Sequence, residues 1–197
     1  VINNPLDHKS DKLSKPDSKR VIAVGRYVYQ KGFDLLLEAW ATVLKKHSDW
    51  HLYIYGYGDR EPYIELAKKI NILDNCHLNN AVKDIDSEYA KSSIFAFSSR
   101  FEGFGMVLVE AMACGLPCVS FDCPCGPKDI IENEKNGYLV KSFNTEDFAD
   151  KLNRLIENES LRVTMGNEAL LSSNKYNIND IGMTWKLLFD ELSLRNR

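Results

Sequence analysis

Three features of this sequence predict a wound α/β fold. Short, uniformly apolar runs recur along the chain, amphipathic helical patterns separate them, and glycine-containing loops follow several of the runs. Runs that are apolar on both faces suit strands covered by helices on both sides. Strand–helix alternation implies a parallel sheet wound by right-handed crossovers.

Taken in order, residues 1–19 are polar, contain Pro5 and Pro16, and read as a linker or an extended lead-in. VIAVG (21–25) is the first strand. Phe33, Leu36, Leu37, Trp40, Val43 and Leu44 recur at helical spacing and predict a helix over 32–46. HLYIY (51–55) is the second strand, followed by a helix through Tyr63, Leu66, Ala67 and Ile70, and a helical pattern covers 84–92. IFAFS (94–98) leads to a helix over 106–114 that stops at Gly115-Leu116-Pro117; PCVSF (117–121) leads to a short helix over 127–132. The last fifty residues contain no strand pattern and read as helices over 145–157, 159–173 and 179–194. Phe148, Leu152, Leu155 and Ile156 form the apolar face of the first, and Trp185, Leu188, Phe189 and Leu192 that of the last. The expectation is a lead-in over 1–19, then one Rossmann-like domain over 20–197. Helices flank both faces of its parallel sheet, and a helical tail starts at about 145.

Composition narrows the function. The 197 residues are 44% hydrophobic and 27% charged, and 25 basic against 28 acidic residues leave a net charge of −3. No basic stripe points to nucleic acid, and no apolar run is long enough to span a bilayer. The first twenty residues contain no signal-type apolar stretch. Cys114, Cys118, Cys123 and Cys125 lack the paired spacing of a zinc site and read as small buried hydrophobes. Free thiols favour a reducing compartment, which makes the cytoplasm the expected location.

In open α/β sheets, ligands bind on the loops at the carboxyl ends of the strands. The first such loop holds Gly25, Arg26, Lys31 and Gly32, two cations beside a helix start. They fit a phosphate, and equally a solvated loop ahead of a helix. Gly56-Tyr57-Gly58 lacks the third glycine of a dinucleotide fingerprint, which counts against a nicotinamide dehydrogenase. Ser98 to Gly105 carries Glu102, Gly103, Phe104 and Gly105 into a helix, so its amides make an anion nest. Glu110 lies between Val109 and Ala111; a carboxylate there needs a hydrogen-bonding partner, which a ligand's hydroxyls supply, or else it faces solvent. These residues together describe a nucleotide-phosphate ligand and nothing narrower.

The pattern Gly25-Arg26-x4-Lys31-Gly32, then Glu102-Gly-Phe-Gly-x4-Glu110-Ala-Met-Ala-x-Gly-x-Pro, then Asn136-Gly-Tyr-Leu-Val140 resembles the C-terminal domain of GT-B glycosyltransferases of family 4, the "group 1" retaining enzymes. The match runs from about Val21 to Val140. Residues 120–140 are similar to bacterial transferases that build capsule, exopolysaccharide and lipid-linked oligosaccharides. The resemblance implies a catalytic set of Arg26, Lys31 and Glu102. Arg26 and Lys31 would bind the donor diphosphate and stabilise the leaving nucleotide. Glu102, with the backbone of Gly103, Phe104 and Gly105, would hold the donor sugar. The amides of Met106 and Val107 would meet the phosphate, Glu110 the ribose hydroxyls, Ala81 and Val82 the base, and Gly25, Gly56 and Gly58 the glycine loops.

The same resemblance implies a nucleoside-diphosphate sugar as co-substrate, with UDP expected by analogy and GDP as the alternative. It also implies a glycan or lipid-linked acceptor. No metal is expected: Asp84-Ile-Asp86 spells a DxD, but it opens a helical pattern, where aspartates act as caps. The family has two Rossmann-like domains with the active site between them. The chain is therefore expected to be the donor half. Its partner would be an N-terminal acceptor-binding domain, through which the enzyme would sit peripherally at the inner membrane face. Alone, it is expected to bind nucleotide and transfer nothing. Two other readings of the same residues are a GT-B-like sugar-nucleotide epimerase and a non-catalytic nucleotide-sugar-binding or scaffold module.

Overall fold

The structure is a computed structural model that describes residues 2–6 and 10–195. Six strands form one wholly parallel sheet: β1 (Arg20–Val24), β2 (His51–Gly56), β3 (Cys76–Asn80), β4 (Ile94–Phe97), β5 (Cys118–Asp122) and β6 (Gly137–Lys141). Their order across the sheet is β3-β2-β1-β4-β5-β6. The winding direction reverses between β1 and β4, the position where open α/β sheets form a ligand crevice.

Among the described residues, eight α-helices connect and cover the strands: α1 (Phe33–Leu44), α2 (Glu61–Lys69), α3 (Ile85–Ala90), α4 (Met106–Ala113), α5 (Pro127–Ile130), α6 (Thr145–Glu157), α7 (Glu159–Ser173) and α8 (Ile178–Arg195). The expected α/β architecture is present, with boundaries shifted by a residue or two. Alternation along the strands splits the core. Val21, Ala23, Leu52 and Ile54 point to one face, where α1, α2 and α6 pack. Ile22, Phe95, Phe97 and Cys118 point to the other, under α4 and α7. Trp40 of α1 is fully buried, and its Nε1 donates to the Asn75 carbonyl at 3.2 Å.

Three features depart from the sequence expectation. β3 and β6 are strands where no strand was predicted. Both lie at sheet edges, and β3 (CHLNN) leaves His77, Leu78 and Asn79 only partly covered, so neither shows a long apolar run. Cys125 is exposed, unlike the other four cysteines, because it sits in a tight loop at φ 65°. Among the described residues the predicted face of α8 is left open: Trp185, Phe189 and Leu192 are exposed, and of the helix's described side chains only Ile181 is buried. Among the described residues, no helix is long and apolar enough to cross a membrane.

The lead-in follows the body of the domain. Leu6 pairs with the 176–177 turn, the Ser14 amide donates to the Cys114 carbonyl, and buried Arg162 donates to the Pro16 carbonyl. The Asn136-Gly137 pair has a structural role. Asn136 is fully buried, accepts from the Glu132 amide at 2.9 Å, and donates to Ser172 Oγ at 3.0 Å.

Candidate functional site

Two loops meet at the carboxyl end of the sheet on either side of the β1–β4 crevice, and six contacts join them. The Arg100 amide donates to the Gln30 carbonyl (2.8 Å), and Gln30 Nε2 donates to the Phe101 carbonyl (3.0 Å). Ser98 Oγ donates to the Lys31 carbonyl at 2.8 Å. The Arg100 guanidinium grips Asp34 of α1 through both oxygens (2.8 and 2.6 Å) and also donates to the Tyr29 carbonyl. Burial pushes the Asp34 carboxyl up, but the Arg100 guanidinium outweighs it and holds Asp34 below its ordinary value. The sixth contact is Lys31 Nζ to Glu102 Oε1 at 2.6 Å, with side chains only 14% and 8% exposed.

Sequence reasoning therefore placed Lys31 and Glu102 at the same end of the fold but missed that they form a pair. The structure folds Glu102 inward from its loop. The ammonium still has two further N–H donors beyond the one it gives Glu102.

Glycines allow these loops to close in. Gly56 lies against the Gly25 carbonyl, and a Cβ there would come within 1.7 Å of that oxygen. The three loops after β1, β2 and β3 enclose a cavity of about 240 Å³ lined by Val24, Gly25, Arg26, Tyr55, Gly56, Tyr57, Ala81, Val82 and Ile85. Five residues singled out from sequence (Gly25, Arg26, Gly56, Ala81 and Val82) thus meet in one place. The walls are mostly apolar and aromatic, which suits a planar ring, and Arg26 supplies the charge. Gly58 stands outside the cavity, packed on Tyr27. Tyr55 is fixed from behind: it donates to Glu88 Oε2 at 2.6 Å, and Arg20 bridges the two. Burial and the Glu88 carboxylate push its phenol up to about 12.

Gly103, Phe104, Gly105, Met106, Val107 and Glu110 lie along the start of α4. Gly105 is the N-cap at φ 98°, a left-handed conformation that disfavours side chains, and no side chain caps the helix. The Leu108 amide donates to the Gly105 carbonyl at 2.9 Å, and the Met106 and Val107 amides have no side-chain cap, with the positive end of the helix dipole behind them. Glu110 is half-buried, and the fully buried Tyr89 donates to its Oε2 at 3.4 Å. Burial first, and then the Glu110 charge, raise the Tyr89 phenol well above its ordinary value. Sequence reasoning missed Tyr89 and the Arg100–Asp34 clamp. An arginine two residues before Glu102 was the available signal for the clamp, but the carboxylate that pairs with it sits 66 residues away in sequence.

Asp84 behaves as a cap. It accepts from the Ser87 amide at 3.2 Å and pairs with Lys12 at 2.6 Å. Among the described residues, no group of three or more His, Cys, Asp or Glu side chains is arranged to hold a metal ion.

A β3-β2-β1-β4-β5-β6 sheet, an apolar cavity at its carboxyl end and a helix start capped by glycine are the features of a doubly wound, Rossmann-like α/β domain. The particular family follows from comparison: residues 6–171 match the profile of the glycosyl transferases group 1, and the chain belongs to that family. An uncharacterized glycosyltransferase of Haemophilus influenzae is 38% identical over 89% of this chain and 50% of its own length. The amylovoran biosynthesis glycosyltransferase AmsD of Erwinia amylovora is 37% identical over 88% of this chain and 48% of its own. The crystal structure of a Staphylococcus aureus TarM variant in complex with fondaparinux, α-GlcNAc-glycerol and UDP superposes with a TM-score of 0.84 at 31% identity. That superposition covers 96% of this chain and 38% of the TarM chain. The chain spans about half the length of these two curated relatives.

Proposed function

We propose that this chain is the donor-binding half of a retaining glycosyltransferase that moves a sugar from a UDP-sugar to a glycan or lipid-linked acceptor. The observation that carries this reading is the cavity shared by Gly25, Arg26, Gly56, Ala81 and Val82 beside the uncapped start of α4. The base occupies the cavity against Ala81 and Val82, and Glu110, braced by Tyr89, accepts hydrogen bonds from the ribose hydroxyls. The diphosphate lies on the Met106 and Val107 amides, with Arg26 and Lys31 supplying positive charge. Glu102 and the backbone of Gly103, Phe104 and Gly105 hold the donor sugar. The UDP bound to TarM, a structural relative at 31% identity, supports uracil as the base.

In the reaction the bond between the anomeric carbon and the phosphate oxygen breaks, and charge builds on that oxygen. Preorganised amides and cations stabilise that charge without reorganising. The acceptor oxygen bonds the anomeric carbon on the face the phosphate leaves, which retains configuration, and its proton passes to the departing phosphate. The acceptor comes from a second, N-terminal domain. Without that domain the chain binds nucleotide and transfers nothing, and no metal takes part. The complete enzyme works in the cytoplasm, held at the inner membrane face through that second domain.

Calorimetric titration with UDP, GDP, ADP and NADH, each with and without Mg²⁺, tests the reading. Selective binding of UDP that survives chelator is expected. Glu110→Gln should weaken it by about 1–3 kcal/mol, the scale of hydrogen bonds to a charged acceptor. Arg26→Ala with Lys31→Ala should weaken UDP far more than uridine. Equal losses for both ligands, or binding that needs metal, contradict the assignment.

A further inference from the structure

A second and larger cavity, of about 820 Å³, opens on the α5 side of the Glu102 loop. Its lining includes Asn3, Asn4, Phe104, Cys125, Lys128 and Asp129, from three separate parts of the chain. We propose that this cavity is a subsite for a neutral, hydroxyl-rich sugar unit of the acceptor. This rests on the reading of the chain as a donor-binding half and adds that the same half contacts the acceptor.

Three observations support it. The first is position. The Glu102 amide donates to the Pro124 carbonyl at 3.1 Å, and Gly126 lies so close to the Phe104 carbonyl that a Cβ would come within 1.7 Å. The wall of the cavity is therefore fastened to the backbone of the Glu102 loop, and a ligand in it lies beside the residues that hold the donor sugar.

The second is the chemistry of the lining. The nucleotide cavity carries one cation and no carboxylate, whereas this one carries Lys128, Asp129 and two asparagine amides. Donors and acceptors without net charge suit hydroxyl groups, which both give and take hydrogen bonds; an anionic phosphate would meet Asp129. Lys128 and Asp129 are exposed and form no ion pair or side-chain hydrogen bond among the described residues, so their polar atoms are available.

The third is that the cavity is held in shape. Leu6 is tied to Tyr176 by its amide (2.7 Å), and Tyr176 packs edge-on against Phe104 (5.8 Å between rings), which sets residues 2–4 opposite α5. Successive positive φ angles at Cys125 (65°) and Gly126 (101°) turn the β5–α5 loop into the opposing wall.

Cys125 makes the proposal directly testable, because it is the exposed cysteine of the five and it lines the cavity. Alkylation of Cys125 by iodoacetamide, followed by peptide mass spectrometry, is measured while methyl α-glucopyranoside, glycerol 3-phosphate or UDP is titrated in. The glycoside should slow alkylation severalfold in the wild-type chain, and this protection should vanish in Lys128→Ala with Asp129→Ala. Glycerol 3-phosphate should protect less. Absence of protection, equal protection in the variant, stronger protection by glycerol 3-phosphate, or protection by UDP as strong as by the glycoside would each overturn the proposal. UDP calorimetry on the same samples reads the donor site independently: loss of UDP binding with sugar protection intact sinks the donor reading, and the reverse sinks the acceptor subsite.

Discussion

Three of the four helices that follow central strands start differently from those that follow edge strands; the fourth, α2 after β2, has its first amide taken by Asp59 Oδ1 at 3.0 Å. After β1, β4 and β5, the helices α1, α4 and α5 begin at Gly32, Gly105 and Gly126, and no side chain caps any of them. After the edge strands β3 and β6, α3 and α6 begin at Asp84 and Asn144, whose side chains accept from the Ser87 and Asp147 amides. An unsatisfied helix start is a cost that a local Asx cap removes for about 1 kcal/mol. The edges take that stabilisation, and the centre forgoes it where the sheet order reverses. In the proposed function, the difference separates amides used for folding from amides offered to the donor phosphate.

Predictions that break or sharpen this contrast fall in order of size. Gly56→Ala should have the largest effect, because the new Cβ meets the Gly25 carbonyl at 1.7 Å, backbone against backbone. A loss of about 3 kcal/mol or more in urea unfolding is expected, together with loss of nucleotide binding; ordinary stability would show that the two loops separate without cost. Gly105→Asn converts a central start into an edge-like one. Its amide side chain competes for the first-turn donors of α4, so UDP affinity should drop about tenfold, roughly 1.4 kcal/mol, and a side chain at φ 98° should lower stability as well. Unchanged affinity would mean those amides do not face the ligand.

Asn144→Ala should cost about 1 kcal/mol in thermal unfolding, Asp84→Ala should lower the melting temperature, and both should leave UDP affinity untouched. The smallest effect is in pH. Hydrogen bonds from Lys12 and then Ser87 hold the Asp84 carboxyl down at about 2, from an ordinary 3.8. A depressed carboxylate stabilises the fold above its unfolded pKa, and that contribution disappears as pH falls from 3.8 through about 2. Asp84→Ala should therefore lower the melting temperature at pH 7 by more than at pH 2; an equal loss at both would exclude the charged cap.

This contrast also explains what the sequence made legible. β1, β2, β4 and β5 announced themselves because strands covered on both faces are written in apolar residues. The edge strands β3 and β6 did not, since His77, Asn79 and Asn80 fit a strand with one free edge and little covering. The glycines and charges of the site were visible as residue types in loops. Their pairings were not. Lys31 with Glu102, Arg100 with Asp34 and Tyr89 with Glu110 join positions between 21 and 71 residues apart, and only the winding of the sheet brings them together. Cys125 was misjudged as buried because composition does not reveal a left-handed loop.

Amide chemical-shift mapping of the chain with UDP and with uridine tests the central claim most directly. Uridine should perturb the amides around Ala81 and Val82, and UDP should add large shifts at Gly105, Met106 and Val107 while Ser87 and Asp147 stay still. Shifts at the capped edge helices, or identical maps for the two ligands, would contradict it.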